Sequence, residues 1–118
     1  MTHLQLPAPV AGFVAAANRF DLDGLVAVFA ADGMVNDQSR EFRGPPAIRA
    51  WAAREMTGDR VTLRVIEAIR HETDVTVRAE IDGDYDKTGL PDPLVLSFYF
   101  TLRGSRIGQL IILHNKSN

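Results

Sequence analysis

The 118-residue sequence predicts an α+β fold in which three amino-terminal helices pack on a curved, mostly antiparallel sheet of four to six strands. Three observations carry that expectation. Apolar residues recur at three- and four-residue intervals through the first half of the chain and at two-residue intervals through the second. The change of period happens once, so a run of helices precedes a run of strands, an order that puts the helices on one face of an antiparallel sheet. A chain of this length buries roughly two-thirds of its unfolded surface, enough for a core without disulfides or metal staples.

Taken in order, Val10, Phe13, Val14 and Ala17 form one face of a first helix that follows Pro9. Residues 18–20 interrupt it. Asp21 is suited to cap a second helix, because its carboxylate can accept the free amide hydrogens of the next turn. Leu22, Leu25, Val26 and Phe29 repeat the helical spacing, and Asp32-Gly33 reads as the stop. Residues 34–43 are long enough only for a small extended hairpin. A third helix opens at Pro45-Pro46, where a fixed φ and a missing N–H suit a first turn, carries Ile48, Trp51 and Ala52 inward, and ends near Gly58. Four strands then follow as hairpins. Val61, Leu63, Val65 and Ile69 alternate with Glu67 in the same register; Val75, Val77, Ala79 and Ile81 come next. Leu94, Leu96, Phe98, Phe100 and Leu102 form the third, and residues 107–113 the last. Residues 82–93 read as a long hairpin loop, and no repeat or low-complexity segment divides the chain, so a single domain over 1–118 is expected.

Composition narrows the chemistry. Thirteen basic against fifteen acidic residues give a formal charge of −2 with no basic run, which argues against a nucleic-acid partner. The absence of cysteine removes thiol nucleophiles and cysteine-held metals. No window approaches the ~20 apolar residues of a membrane span. The uncharged start lacks a preceding Lys or Arg and is broken by Pro7 and Pro9, unlike a signal peptide, so a cytoplasmic protein without a membrane partner is expected. His3, His71 and His114 lie far apart, with no pair at helical spacing to hold zinc. The acidic stretch Asp82-Gly83-Asp84-Tyr85-Asp86 would need Gly at its sixth position and Glu at its twelfth to form a calcium loop, and has Lys87 and Pro93 there. Glycine-rich phosphate loops and a serine elbow are missing too, so no cofactor and no metal are expected.

Asp37 remains. It follows the second helix where the chain first turns extended, in a space bounded by Phe13, Phe29, Trp51 and the inward strand residues. A carboxylate in such an apolar pocket can take a proton from a carbon beside a carbonyl, provided something stabilises the enolate. The alternative is a turn aspartate bonded to its own backbone near Ser39.

The order of elements, with residues 20–32 (FDLDGLVAVFAAD) and 43–51 (RGPPAIRAW), resembles the nuclear transport factor two-like superfamily, which includes ketosteroid isomerases and SnoaL-like polyketide cyclases. The resemblance spans nearly the whole chain and implies a cone-shaped, cystatin-like α+β barrel. It implies that Asp37 is the general base. It also places Phe13 where the isomerases have an oxyanion tyrosine, and Leu96 where they have a protonated aspartate. Losing one such donor costs about 3–4 kcal/mol of transition-state stabilisation; Tyr85 or Tyr99 are the tyrosines available to replace it. The related limonene epoxide hydrolases use an Asp-Arg-Asp set, but residues 107–113 hold no carboxylate and Glu80 stands at the arginine position.

Two classes of function stay open. One is an isomerase- or cyclase-type enzyme with Asp37 as base, binding a small hydrophobic ligand among Phe13, Phe29, Trp51, Tyr85, Leu96, Phe98 and His114. The other is a non-catalytic ligand-binding or dimerisation domain. The alternate strand register (Arg64, Ile66, Arg78, Ser97, Tyr99, Thr101) mixes apolar and polar groups on the outer sheet face, and the resemblance implies a homodimer through it.

Overall fold

The computed structural model describes residues 5–114, so His3 lies outside the described residues. Helix α1 (Ala8–Asn18) is followed by α2 (Leu22–Ala27), strands β1 (Phe29–Asp37) and β2 (Arg40–Arg43), and helix α3 (Gly44–Glu55). Strands β3 (Thr62–His71), β4 (Asp74–Asp82), β5 (Leu94–Arg103) and β6 (Arg106–His114) complete the chain. The six strands form one curved sheet in the order β2-β1-β6-β5-β4-β3. All pairs are antiparallel except β1 with β6, which run parallel.

The helices cover one face, where Val10, Phe13, Leu25, Ile48 and Trp51 meet Val35, Val77, Phe98, Phe100 and Leu110 with essentially no solvent exposure. Burying each such side chain contributes about 1.5–3 kcal/mol. The Asp21 carboxylate caps α2 through a 2.9 Å bond from the Gly24 N–H, as its position in the sequence predicts. The Asn18 side chain ties the end of α1 to β3, donating to the Leu63 carbonyl at 3.0 Å and accepting from its N–H at 2.7 Å.

Two local expectations are corrected. Phe29 does not continue α2 but opens β1, with Asp32-Gly33 inside that strand rather than ending a helix. The cause is non-local: the Val28 carbonyl accepts from the Ile107 N–H at 2.8 Å, and Phe29 pairs with Ile107 of β6. The register then shifts before Met34, and at Gly33 any Cβ would stand 2.9 Å from the Ala30 carbonyl oxygen. In β3 a bulge between Val65 and Glu67 reverses the alternation, so Ala68 rather than Ile69 faces inward and Ile69 is 58% exposed. On the outer face Ser97 is buried, flanked across the strands by the longer Arg78 and Leu113. No helix among the described residues is long and apolar enough to cross a membrane.

Candidate functional site

The site is built where β1 ends. Gln38 and Ser39, with φ of 53° and 71°, make the two-residue turn between β1 and β2, so Asp37 and Arg40 stand directly opposite each other. Neither residue is glycine, and left-handed backbone at such residues costs about 1–2 kcal/mol each. The turn is held from outside: Gln38 donates its backbone N–H and its side-chain amide to the Ile112 carbonyl at 3.1 and 3.2 Å, and the Ser39 N–H bonds the Asn36 side chain at 3.0 Å.

In the parallel register of β1 with β6, Asp37 sits beside Ile112 and so faces the helical layer. Trp51, fully buried on α3, donates its indole N–H to Asp37 Oδ2 at 3.0 Å. Arg40 Nη2 reaches the same oxygen at 3.2 Å. Both donors thus converge on Oδ2, and among the described residues no hydrogen bond reaches Oδ1. One turn beyond Trp51, Glu55 forms a two-pronged pair with Arg40 at 2.6 and 2.8 Å. The Arg40 hydrogen bonds hold the Glu55 carboxyl below its ordinary range against the opposing effect of burial, and the Arg40 guanidinium is correspondingly raised by Glu55. Arg40 therefore bridges two carboxylates, and the turn, the strand end and α3 are locked together.

This cluster forms one end of a cavity of about 340 Å³ whose wall is mainly apolar, with Met56, Val61, Leu90, Leu94, Leu96 and Phe98 among its lining. Of the residues singled out from sequence, the structure brings Asp37, Tyr85, Leu96, Phe98 and His114 to this cavity. It does not bring Phe13, Phe29 or Trp51 to its surface. Phe13 and Phe29 pack edge-on at 6.1 Å in the core behind it, Phe13 also contacting Phe100 at 5.5 Å, and Trp51 acts only through its bond to Asp37. Tyr85 reaches the cavity from the loop between β4 and β5, while Tyr99 lies on the outer face of the sheet. The Tyr85 hydroxyl donates to the Ile81 carbonyl at 3.2 Å, and burial raises its pKa. Sequence reasoning missed Arg40, Glu55 and Asp59, which also line the cavity. Glu55 had a signal: it lies four residues beyond Trp51, on the same helix face.

A second cavity, of about 630 Å³, meets the first along Ile81, Tyr85, Leu90 and Leu94, and its wall carries the Arg64–Glu80 and Lys87–Asp82 pairs, each at 2.7 Å. The acidic loop is thus occupied by its own lysine. Among the described residues no cluster of side chains could hold a metal ion.

Solved structures of similar shape come from several bacteria. A Sinorhizobium meliloti protein provisionally named a polyketide cyclase is 26% identical, with 96% of this chain and all of that one covered and a TM-score of 0.84. A Xanthomonas campestris protein with the same provisional name is 25% identical over 91% of this chain and 87% of its own, with a TM-score of 0.76. A Catenulispora acidiphila protein of ketosteroid isomerase-like fold, solved in complex with trimethylamine, is 26% identical over 96% of this chain and 89% of its own, with a TM-score of 0.78. Among curated proteins none matches. Residues 10–109 match the SnoaL-like domain, and the chain belongs to that family.

Proposed function

We propose that the cavity at Asp37 binds a small, largely apolar molecule and that Asp37 serves there as the general base of an isomerase- or cyclase-type reaction. The observation that carries this reading is the division of labour within one carboxylate. Trp51 and Arg40 both bond Oδ2, Oδ1 accepts no hydrogen bond among the described residues, and Asp37 lines a mainly apolar cavity. In the proposed step Oδ1 takes a proton from the carbon beside a substrate carbonyl. The C–H electron pair becomes a C=C bond and the carbonyl oxygen becomes an enolate. Return of the proton from Asp37 to another carbon completes isomerisation; attack of the enolate carbon on a second carbonyl forms a C–C bond and an alkoxide, which takes the proton back from Asp37 to complete ring closure. His114 borders the cavity as a donor-bearing side chain for the enolate oxygen, and Tyr85 becomes a second donor once its hydroxyl leaves the Ile81 carbonyl. The two provisionally named cyclases among the similar structures support this class of reaction.

A positioned general base contributes about 10²–10⁴-fold, so Asp37→Asn is expected to lower turnover of a cyclisable or isomerisable ketone by that factor while leaving ligand binding within about threefold. Wild-type turnover by the Asn variant refutes the assignment. A second reading, ligand binding without catalysis, is favoured by one observation: the Tyr85 hydroxyl is already committed to the Ile81 carbonyl. Binding that is equal in both proteins, with no turnover in either, selects it.

We also propose that two copies pair through the outer sheet face, which exposes Tyr99, Leu113 and Ile69. A monomeric mass in solution at micromolar concentration overturns this.

A further inference from the structure

We propose that the Asp37 cavity selects a ligand with a cationic head on an apolar body, and that Asp59 is the residue that sets this preference. The inference rests on reading the cavity as a ligand site, but not on Asp37 acting as a base.

Three carboxylates border the cavity, those of Asp37, Glu55 and Asp59, against the single guanidinium of Arg40, which leaves a formal charge of −2 with His114 neutral. The Arg40 charge is fully engaged by its paired bonds to Glu55 and its contact with Asp37. Asp59 differs from the other two. It is half-buried just beyond α3, its backbone carbonyl accepts from the Asp84 N–H at 2.7 Å, and among the described residues no donor reaches its carboxylate. The nearby cations are held elsewhere: Arg60 lies 3.9 Å over the Phe20 ring, Arg54 bonds Glu55 and the Ala50 carbonyl, and Lys87 pairs with Asp82. The cavity wall therefore carries the uncompensated charge of Asp59 together with the apolar side chains of Leu94, Leu96 and Phe98.

A cleft of one sign with low-dielectric walls concentrates charges of the opposite sign and repels its own. An ammonium head replaces the water on Asp59, and the body displaces water from the aliphatic wall. The Tyr85 ring, with Lys87 Nζ 5.6 Å from its centroid, also borders the cavity. A carboxylate head on the same body meets only repulsion.

The test is calorimetric titration of the full chain at neutral pH and low salt with three probes of one shape: phenylpropylammonium, phenylpropanol and phenylpropanoate. The cation is expected to bind about tenfold tighter than the alcohol, a difference of about 1.4 kcal/mol, and the carboxylate to bind weakest. Asp59→Asn is expected to bring the cation-to-alcohol ratio below about threefold, and Asp59→Glu to retain most of it; thermal unfolding of both variants establishes that they fold. Alcohol binding as tight as that of the cation overturns the inference and leaves the cavity reading standing, as does a ratio that survives Asp59→Asn. Leu96→Trp fills the cavity, so binding that persists in this variant occurs elsewhere and overturns the inference. Absence of binding by all three probes at millimolar concentration overturns both readings.

Discussion

Replacing Trp51 by Phe tests the joint on which the site depends. The indole N–H is fully buried and its single partner is Asp37 Oδ2 at 3.0 Å, on a carboxylate whose side chain is 15% exposed. A hydrogen bond to a charged acceptor contributes about 1.5–3 kcal/mol. Phenylalanine also leaves a void on the order of 40 Å³, worth about 1 kcal/mol at 24 cal/mol per Å³. The sum, about 2–4 kcal/mol, lowers the urea midpoint by about 1–2 M if m is near 2 kcal/mol/M. The two contributions separate in a double-mutant cycle with Asp37→Ala. In the Ala background the indole N–H is an orphaned buried donor, so removing it costs no more than the void. The coupling energy should therefore approach about 1.5–3 kcal/mol. A coupling below about 0.5 kcal/mol means that Trp51 does not fix Asp37, and the division between a held and an open oxygen falls with it.

Three further outcomes follow from the same geometry. Because Arg40 holds the Glu55 carboxyl below its ordinary 4.5, the pair's contribution is complete above that pH and is lost as pH falls through the lowered folded value; Glu55→Gln should flatten the acid limb of stability against pH, and an unchanged limb refutes the pairing. Asn18→Ala strands the Leu63 N–H and carbonyl and should cost about 2 kcal/mol by chemical denaturation, with faster amide exchange at the start of β3; a cost under 0.5 kcal/mol contradicts the anchor. Ser39→Gly relieves a left-handed residue at φ 71° and should stabilise the fold by about 0.5–1 kcal/mol, which a lower melting temperature would disprove.

What the sequence makes legible is what short-range physics decides. The Asp21 cap, the Pro45-Pro46 helix start and the inward side of Trp51 each depend on a few neighbouring residues, and each is where its spacing places it. Phe29 fits the helical face of α2 just as well, yet the parallel pairing with Ile107, nearly eighty residues away, takes it into a strand. Ile69 fails for a related reason: a one-residue bulge turns every later side chain of β3 over, and no local pattern marks it. Asp37 stands out in the sequence because it ends the extended stretch that follows the second helix, and the structure places it on the cavity wall. Apolar periodicity does not distinguish a core wall from a cavity wall, so Phe13 and Phe98 look alike in sequence although only Phe98 borders the cavity. Arg40 opens an edge strand beside a turn and Asp59 sits in one, where a charged residue ordinarily faces water, and only the tertiary arrangement brings them to the cavity.

The two proposals for the cavity bear on each other through charge. Enolate formation moves negative charge from Asp37 onto the substrate oxygen, beside walls in which Glu55, Asp59 and Arg40 still leave a formal −1. The protein supplies few groups to offset it, since the Trp51 N–H is spent on Asp37, the Gln38 amide on Ile112 and the Tyr85 hydroxyl on Ile81. A substrate with its own cationic head brings the missing compensation. At ~6 Å and an effective dielectric near 20, one positive charge stabilises an enolate by on the order of 3 kcal/mol before screening at the cavity mouth. Among ketones of matched shape, a substrate with an ammonium head should therefore exceed its neutral counterpart in kcat by about ten- to a hundredfold, a gain that saturating the neutral ketone does not recover. Equal kcat values would show that the charge acts in binding alone. They would also require the enolate to be stabilised by a donor that moves into place only when substrate is bound, and Tyr85, released from the Ile81 carbonyl, would be the first residue to substitute.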